Sequence, residues 1–205
     1  MQTMPFDDWV RAWFDHPENW DWVCDFPLLE TEISPNATLA YTTQLFRYAG
    51  VLLAPYSDTQ VGNGLNALIW EGDSPLTILQ NKNLPRFECR ACLKGIYRVY
   101  KEIFAVRCPE VSQKLGHVCF MWWDIFPLYD TVRPELNETV LTTLERTLAL
   151  PHLACQEAAL HGLGHWQSAN PARVHGIIDT FLATKKVRRP ELVSYAQAAR
   201  AGRVL

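Results

Sequence analysis

Prolines are the feature that most constrains how this chain folds, because many of them stand where a helix would begin. Proline is favoured at the first helical position, where its missing N–H would have no partner, and it is costly further along the helix. In the C-terminal half, four prolines each precede a segment with helical apolar spacing: Pro134, Pro151, Pro171 and Pro190. Pro134 and Pro171 are 37 residues apart, and Pro151 and Pro190 are 39 apart. A period of about 40 residues is typical of stacked helical hairpins.

The rest of the chain also predicts an all-α fold, because alternating strand-like patterns are nearly absent. Ser-Pro pairs at 34–35 and 74–75, together with Ser57, are helix-start signals, and the longest predicted helix runs from Pro85 to about Cys108. Residues 1–33 carry one short helix over Phe6–Phe14 and are otherwise predicted to be an irregular, aromatic-anchored N-terminal part. No change of composition marks a linker, so we predict a single α-helical domain over residues 1–205.

Charge and cysteine content exclude several classes of protein. The formal net charge is −3, so the sequence shows no basic field that would hold nucleic acid or an anionic membrane. The N-terminus lacks the pattern of a signal peptide, and no window approaches a membrane span. Six cysteines are too sparse for a disulfide scaffold and are typical of free thiols in a reducing compartment. We therefore expect a cytoplasmic protein, while its oligomeric state stays open.

One segment carries a family resemblance. Residues 150–166, LPHLACQEAALHGLGHW, resemble the second helix of a HEAT-type repeat, and the resemblance is clearest over residues 134–202. The whole chain also resembles an uncharacterised bacterial family, through residues 19–26, residues 121–124 with 127–129, and the ACQEAALHGLGHW run. The HEAT-like resemblance implies antiparallel helix pairs stacked as a short α-solenoid. By analogy alone, it also implies a scaffold that binds other proteins.

Two histidines in that segment invite a metal-site interpretation. His161 and His165 are four residues apart, so they share one face of a helix and could hold one ion. A site needs a third ligand, however, and a helical wheel places His152 and Cys155 on the opposite side. The zinc-protease motif is also absent. The sequence therefore favours packed or hydrogen-bonded histidines, and we expect no metal and no cofactor.

The remaining motifs are assigned to the core or to a recognition surface. Cys89 and Cys92 lie within one helical stripe and are predicted to be buried, unliganded thiols. The Trp-Asp pairs around Trp20–Trp22 and Trp122–Asp124 could form a recognition patch, although wedging of the indoles into the core is favoured. Gly162 and Gly164 do not form a phosphate loop, because no strand precedes them.

Three function classes follow from these observations. The leading expectation is a non-catalytic binding module, most specifically an immunity or antitoxin-like protein that neutralises a partner toxin with a basic domain. Its predicted partner-binding residues are Trp123, Asp124, His161 and His165, with no catalytic residue. The first alternative is an enzyme, metal-dependent or acid/base, that uses the two histidines and Asp124. The second alternative is a generic scaffold in a cytosolic complex.

Overall fold

A computed structural model of the chain describes residues 4–20, 33–70, 74–108, 114–128, 131–184 and 189–204. Every regular element in these ranges is helical, which confirms the predicted all-α class. The α-helices are α1 (Phe6–Phe14), α2 (Pro35–Arg47), α3 (Ala49–Leu52), α4 (Asp58–Ile69), α5 (Arg86–Val99), α6 (Ala105–Arg107), α7 (Lys114–Met121), α8 (Asn137–Leu148), α9 (Leu153–His165), α10 (Pro171–Ala183) and α11 (Pro190–Arg200). Within the described ranges, no helix is long and apolar enough to cross a membrane.

The proline signals give helix starts as predicted. Helices α2, α10 and α11 begin at Pro35, Pro171 and Pro190, and a 3-10 turn over Pro134–Leu136 leads into α8. Helix α9 begins two residues after Pro151. Ser57 forms a capping box with Gln60 at the start of α4. The same proline signal predicts a further helix start at Pro109, which lies outside the described residues together with residues 185–188 and most of the irregular stretch before Ile33.

The long helix predicted after Pro85 contains a turn that the sequence did not indicate. Helix α5 continues into a π-helical turn over Tyr100–Phe104 and then into α6. In this turn the backbone N–H of Ala105 reaches the carbonyl of Tyr100, five residues earlier. The Tyr100 hydroxyl donates to the carbonyl of Cys119 at 3.0 Å, which ties the turn to α7. Burial raises the pKa of Tyr100 well above its ordinary value, so this hydroxyl stays protonated.

The helices pack in two rows that follow the chain. The first row contains α2, α5, α8 and α10, each packed against the next. The second row contains α4, α7, α9 and α11, again packed in that order. The rows contact each other where consecutive helices pair, as α8 does with α9 and α10 with α11. Helix α9 is therefore surrounded by α7, α8, α10 and α11, and it is the structural centre of the C-terminal half.

Two glycines let neighbours approach α9 closely. A Cβ added at Gly162 would lie 2.7 Å from Trp123 Cγ and 2.7 Å from Leu144 Cδ2. A Cβ added at Gly164 would lie 2.5 Å from Val204 Cγ1. Because these two positions have no side chain, α8, the C-terminal segment and the loop after α7 can pack directly against the backbone of α9. Trp123 packs against Gly162, and this contact places the next residue, Asp124, beside α9.

Gly162→Ala is expected to destabilise the protein by about 1–3 kcal/mol, because the new methyl group overpacks the contact with Trp123 and Leu144. Gly176→Ala in α10 is the matched control, since an added Cβ there meets nothing within 4 Å. That control is expected to gain about 0.5–1 kcal/mol from helix propensity. Urea unfolding of both variants measures the difference. Equal effects in the two variants would contradict close packing at Gly162.

Candidate metal centre

Three side chains converge on one point beside α9. His161 and His165 project from adjacent turns of α9, and Asp124 follows α7. The two histidine Nε2 atoms are 3.0 Å apart. Asp124 Oδ1 lies 3.1 Å from His165 Nε2 and 3.9 Å from His161 Nε2. The structure therefore places Asp124, which the enzyme alternative had grouped with the two histidines, where a third ligand would lie.

These separations suit the ligands of a single metal ion. A histidine nitrogen binds zinc at about 2.0–2.1 Å, so two ligand atoms lie about 3 Å apart at right angles and about 3.4 Å apart in a tetrahedron. The three observed distances, 3.0, 3.1 and 3.9 Å, fall around these values. Two histidines and one carboxylate form the ligand set of many catalytic zinc and non-haem iron sites. In the described part of the chain, they are the one group of three or more His, Cys, Asp or Glu side chains placed to hold an ion.

The surroundings of His161 prepare it to act as a ligand. Its ring is buried, and its Nδ1 lies 2.7 Å from the hydroxyl of Tyr195 on α11. With Nε2 on a metal, Nδ1–H would donate to that hydroxyl and so fix the tautomer and the orientation of the ring, the role that an outer hydrogen bond has for metal-bound histidines. Burial lowers the pKa of His161, and the neighbouring His165 lowers it further. The ring therefore stays neutral at neutral pH, with a lone pair free for binding.

Without an ion, the same three groups form a hydrogen-bonded cluster. The two facing Nε2 atoms cannot both carry a proton at 3.0 Å, so one must accept from the other. A proton on His165 Nε2 would serve both His161 and Asp124. This is the hydrogen-bonded arrangement that the sequence favoured, and the proton is the one that a metal ion would displace.

One side of the cluster is open to solvent. The side chains of His165 and Asp124 are 36% and 35% exposed, whereas His161 is 1% exposed. An ion held by these three side chains alone would keep at least one coordination position for water or substrate, as catalytic zinc sites do. Structural zinc sites, by contrast, are closed by four protein ligands.

Two further groups, Tyr195 and Glu157, lie next to these ligands, and neither was singled out in the sequence analysis. Tyr195 contacts His161, and burial together with the nearby Glu157 and Asp124 carboxylates raises its pKa to about 12. Glu157 lies one turn before His161 on α9, and burial raises its pKa as well. The spacing of 157, 161 and 165 at intervals of four was visible in the sequence. The contribution of Tyr195 was not, because it comes from another helix.

Trp123 occupies a different place from its three predicted companions. Its side chain is 4% exposed and packs against Gly162, and its ring stacks on Tyr100 with 7° between the planes. The buried indole fits the core interpretation that the sequence favoured for this Trp-Asp pair, and the assignment of Trp123 as a partner-binding residue stays a prediction. Trp122 is fully buried as well, which agrees with the core interpretation of this pair. The packing of Trp123 against Gly162 places Asp124 beside α9.

The other sulfur and histidine candidates lie away from this centre. Cys89 and Cys92 are buried free thiols, as predicted. Burial raises the pKa of Cys92 to about 12, and it also raises the pKa of Cys89, although the Arg133 guanidinium opposes that rise. His152 Nε2 lies 3.0 Å from the carbonyl of Cys108, and Cys155 lies beside Tyr100, so both point away from the centre as the wheel predicted.

Comparison with known proteins adds no further constraint on this site. No family model, no curated protein and no solved structure matches the chain.

Proposed function

We propose that the protein is a metal-dependent enzyme in which Asp124, His161 and His165 bind one divalent ion, Zn²⁺ or Fe²⁺. The observation that carries the proposal is the convergence of these three groups at 3.0–3.9 Å, with the fourth side open. The hydrogen bond between Tyr195 and His161 supports it, because a hydrogen bond to the second ring nitrogen orients a histidine for metal binding.

The proposed chemistry is activation of a water molecule. A bound divalent ion lowers the pKa of its water towards neutrality and polarises an oxygen of the substrate. Asp124 and the two histidines hold the ion, and Tyr195 fixes the orientation of the His161 ring. Glu157, one helical turn before His161 on α9, is the candidate proton acceptor. This set of groups favours a hydrolytic reaction.

Metal titration tests the proposal. Wild type is titrated calorimetrically with Zn²⁺, and with Fe²⁺ under anaerobic conditions. We expect one ion per chain, and we expect His165→Ala to weaken binding by more than about 100-fold, because loss of a ligand exceeds the 10–100-fold effect of losing a supporting contact. Tyr195→Phe is expected to weaken binding by about 10-fold.

The matched control for that titration is His117→Ala, which removes an exposed histidine from α7. Its affinity should equal that of wild type, and circular dichroism should show all variants folded. Equal metal affinity in wild type and His165→Ala, or no stoichiometric binding by wild type, would overturn the proposal.

The second candidate function is the protein-binding module expected from the sequence, in its immunity-like or scaffold form. Two observations favour it. The two helix rows suit a HEAT-like stack of antiparallel pairs, and Asp124 and His165 are exposed on the row that contains α9. A partner with a basic surface would meet the Asp124 carboxylate there. The metal titration separates the two candidates, because a binding module of this kind needs no ion.

A further inference from the structure

The second prominent surface is a groove on the first helix row, in the part of the chain that does not form the metal centre. It has a volume of about 960 Å³ and is formed by the end of α2, the outer face of α5 and one residue of α8. Six cationic side chains line it: Arg47, Arg86, Arg90, Lys94, Arg98 and Arg146. No carboxylate is among the described residues that line it. The groove thus holds about a third of the 19 lysines and arginines of a chain whose net charge is −3.

The cations follow a regular spacing. Positions 86, 90, 94 and 98 recur every four residues along α5, so they form a stripe about 18 Å long on one side of the helix. The opposite side of α5 is buried in the core. The net charge does not reveal this stripe, because the chain has more acidic than basic residues in total. A polyanion would be drawn to the groove and repelled by the rest of the surface.

Several of these cations retain unused hydrogen-bonding capacity. Arg90 is partly exposed, and it donates through one Nη to the carbonyl of Glu135 at 3.1 Å. Lys94 and Arg86 are exposed. Arg98 pairs with Glu102 at 2.6 Å, but it is 49% exposed and such a surface pair is weak. The groove therefore offers donors to an anionic ligand.

Aromatic rings accompany the cations. Phe87 is 81% exposed and Tyr48 is 50% exposed, and both belong to the groove. Tyr97 is already covered by the Arg146 guanidinium, 3.9 Å from its ring centre. Large aromatic side chains at such exposure suit the stacking of bases, and arginine suits phosphate, which it binds through paired donors. The bases of a single strand are free to stack on such rings, whereas a duplex keeps its bases stacked inside, so the exposed rings favour a single strand.

We infer that this groove binds a single-stranded polynucleotide, with the cations on the phosphates and Phe87 and Tyr48 against the bases. The inference is independent of the metal centre, since the two share no residue. Binding is expected to be tolerant of sequence, because stacking and phosphate contacts carry no base code.

Fluorescence anisotropy with labelled oligothymidylate and oligouridylate of about 15 nucleotides tests the inference. For a single strand, each phosphate contact contributes about 0.7 of a decade in affinity at about 0.1 M salt. Lys94→Ala with Arg98→Ala should therefore weaken binding by about 25-fold and flatten its salt dependence. Phe87→Ala, at an exposed site, should weaken binding by about fivefold or more through lost stacking.

The control variant is Arg11→Ala with Arg203→Ala, which removes two exposed cations outside the groove. It should bind as wild type does. The inference is overturned if wild type binds neither oligonucleotide, or if the control loses as much affinity as the groove variant. It is equally overturned if polyglutamate or phosphatidylserine vesicles bind with the same dependence on Lys94 and Arg98 while the oligonucleotides do not. A preference between the DNA and RNA probes would identify which strand the groove takes.

Discussion

Replacing Leu163 by aspartate is expected to unfold the protein. Leu163 lies at the centre of α9 with no exposed surface. The substitution removes a packed side chain and leaves an unpaired charge in the core, and each change costs several kcal/mol. A loss of about 4 kcal/mol or more is a large part of the 5–15 kcal/mol that stabilises a typical domain. Thermal melts followed by circular dichroism should show a transition lowered by more than about 10 °C, or none.

Two controls make this result specific to the position. Leu163→Met keeps the volume and should cost less than about 1.5 kcal/mol. Val106→Asp places the same new charge at a site that is 74% exposed, where surface substitutions stay within about 0.5 kcal/mol. If the Leu163→Asp and Val106→Asp proteins have the same melting temperature, Leu163 is not buried as described.

Arg133→Met is expected to destabilise the protein by about 3 kcal/mol, because it removes the donors from a buried network. The Arg133 side chain is 3% exposed. Its guanidinium donates to the carbonyl of Asn81 at 2.9 Å, to the carboxylate of Glu135 at 2.8 Å and to Cys89 Sγ at 3.3 Å. Methionine keeps the apolar stem but removes the guanidinium donor from all three acceptors. Urea unfolding measures the loss.

Arg11→Met is the comparison for this second prediction. Arg11 forms an ion pair with Asp8 in which both side chains are more than half exposed, so its removal should change stability by less than about 1 kcal/mol. Arg133→Lys should fall between the two variants, since it keeps the charge but loses the planar donor fork. If Arg133→Met is as stable as Arg11→Met, the network does not hold the fold.

Helix starts were predictable from sequence because their signals are local. A proline or a capping serine acts on the first turn of its own helix, so Pro35, Ser57, Pro171 and Pro190 could be interpreted without knowledge of the fold. The π-helical turn at Tyr100–Phe104 was missed for the complementary reason. It involves a tertiary contact, between Tyr100 and the chain at Cys119, and no local pattern indicates it. The HEAT-like character of the stack stays a prediction.

The candidate site was predictable only in part. Spacing placed His161 and His165 together, and Asp124 was named beside them, but the joining of α7 to α9 depends on Gly162 and Trp123. Adjacency in sequence also grouped Trp123 with Asp124, although the Trp123 indole is buried and the Asp124 side chain is 35% exposed, because successive residues of a turn point in different directions. The groove on α5 was missed because only the buried apolar face of that helix was considered in the sequence analysis. The cations on its outer face entered only as part of the net charge.

The π-helical turn bears on how this chain tolerates changes in length. A π turn contains one residue more than an α turn needs, so a single deletion within Tyr100–Phe104 could be absorbed by closing the turn into a regular helix. A deletion within Arg86–Val99 cannot be absorbed in this way. It would rotate the α5 residues before the deletion by about 100° relative to the residues after it. Homologous chains that lack one residue in this region should therefore lack it inside the turn.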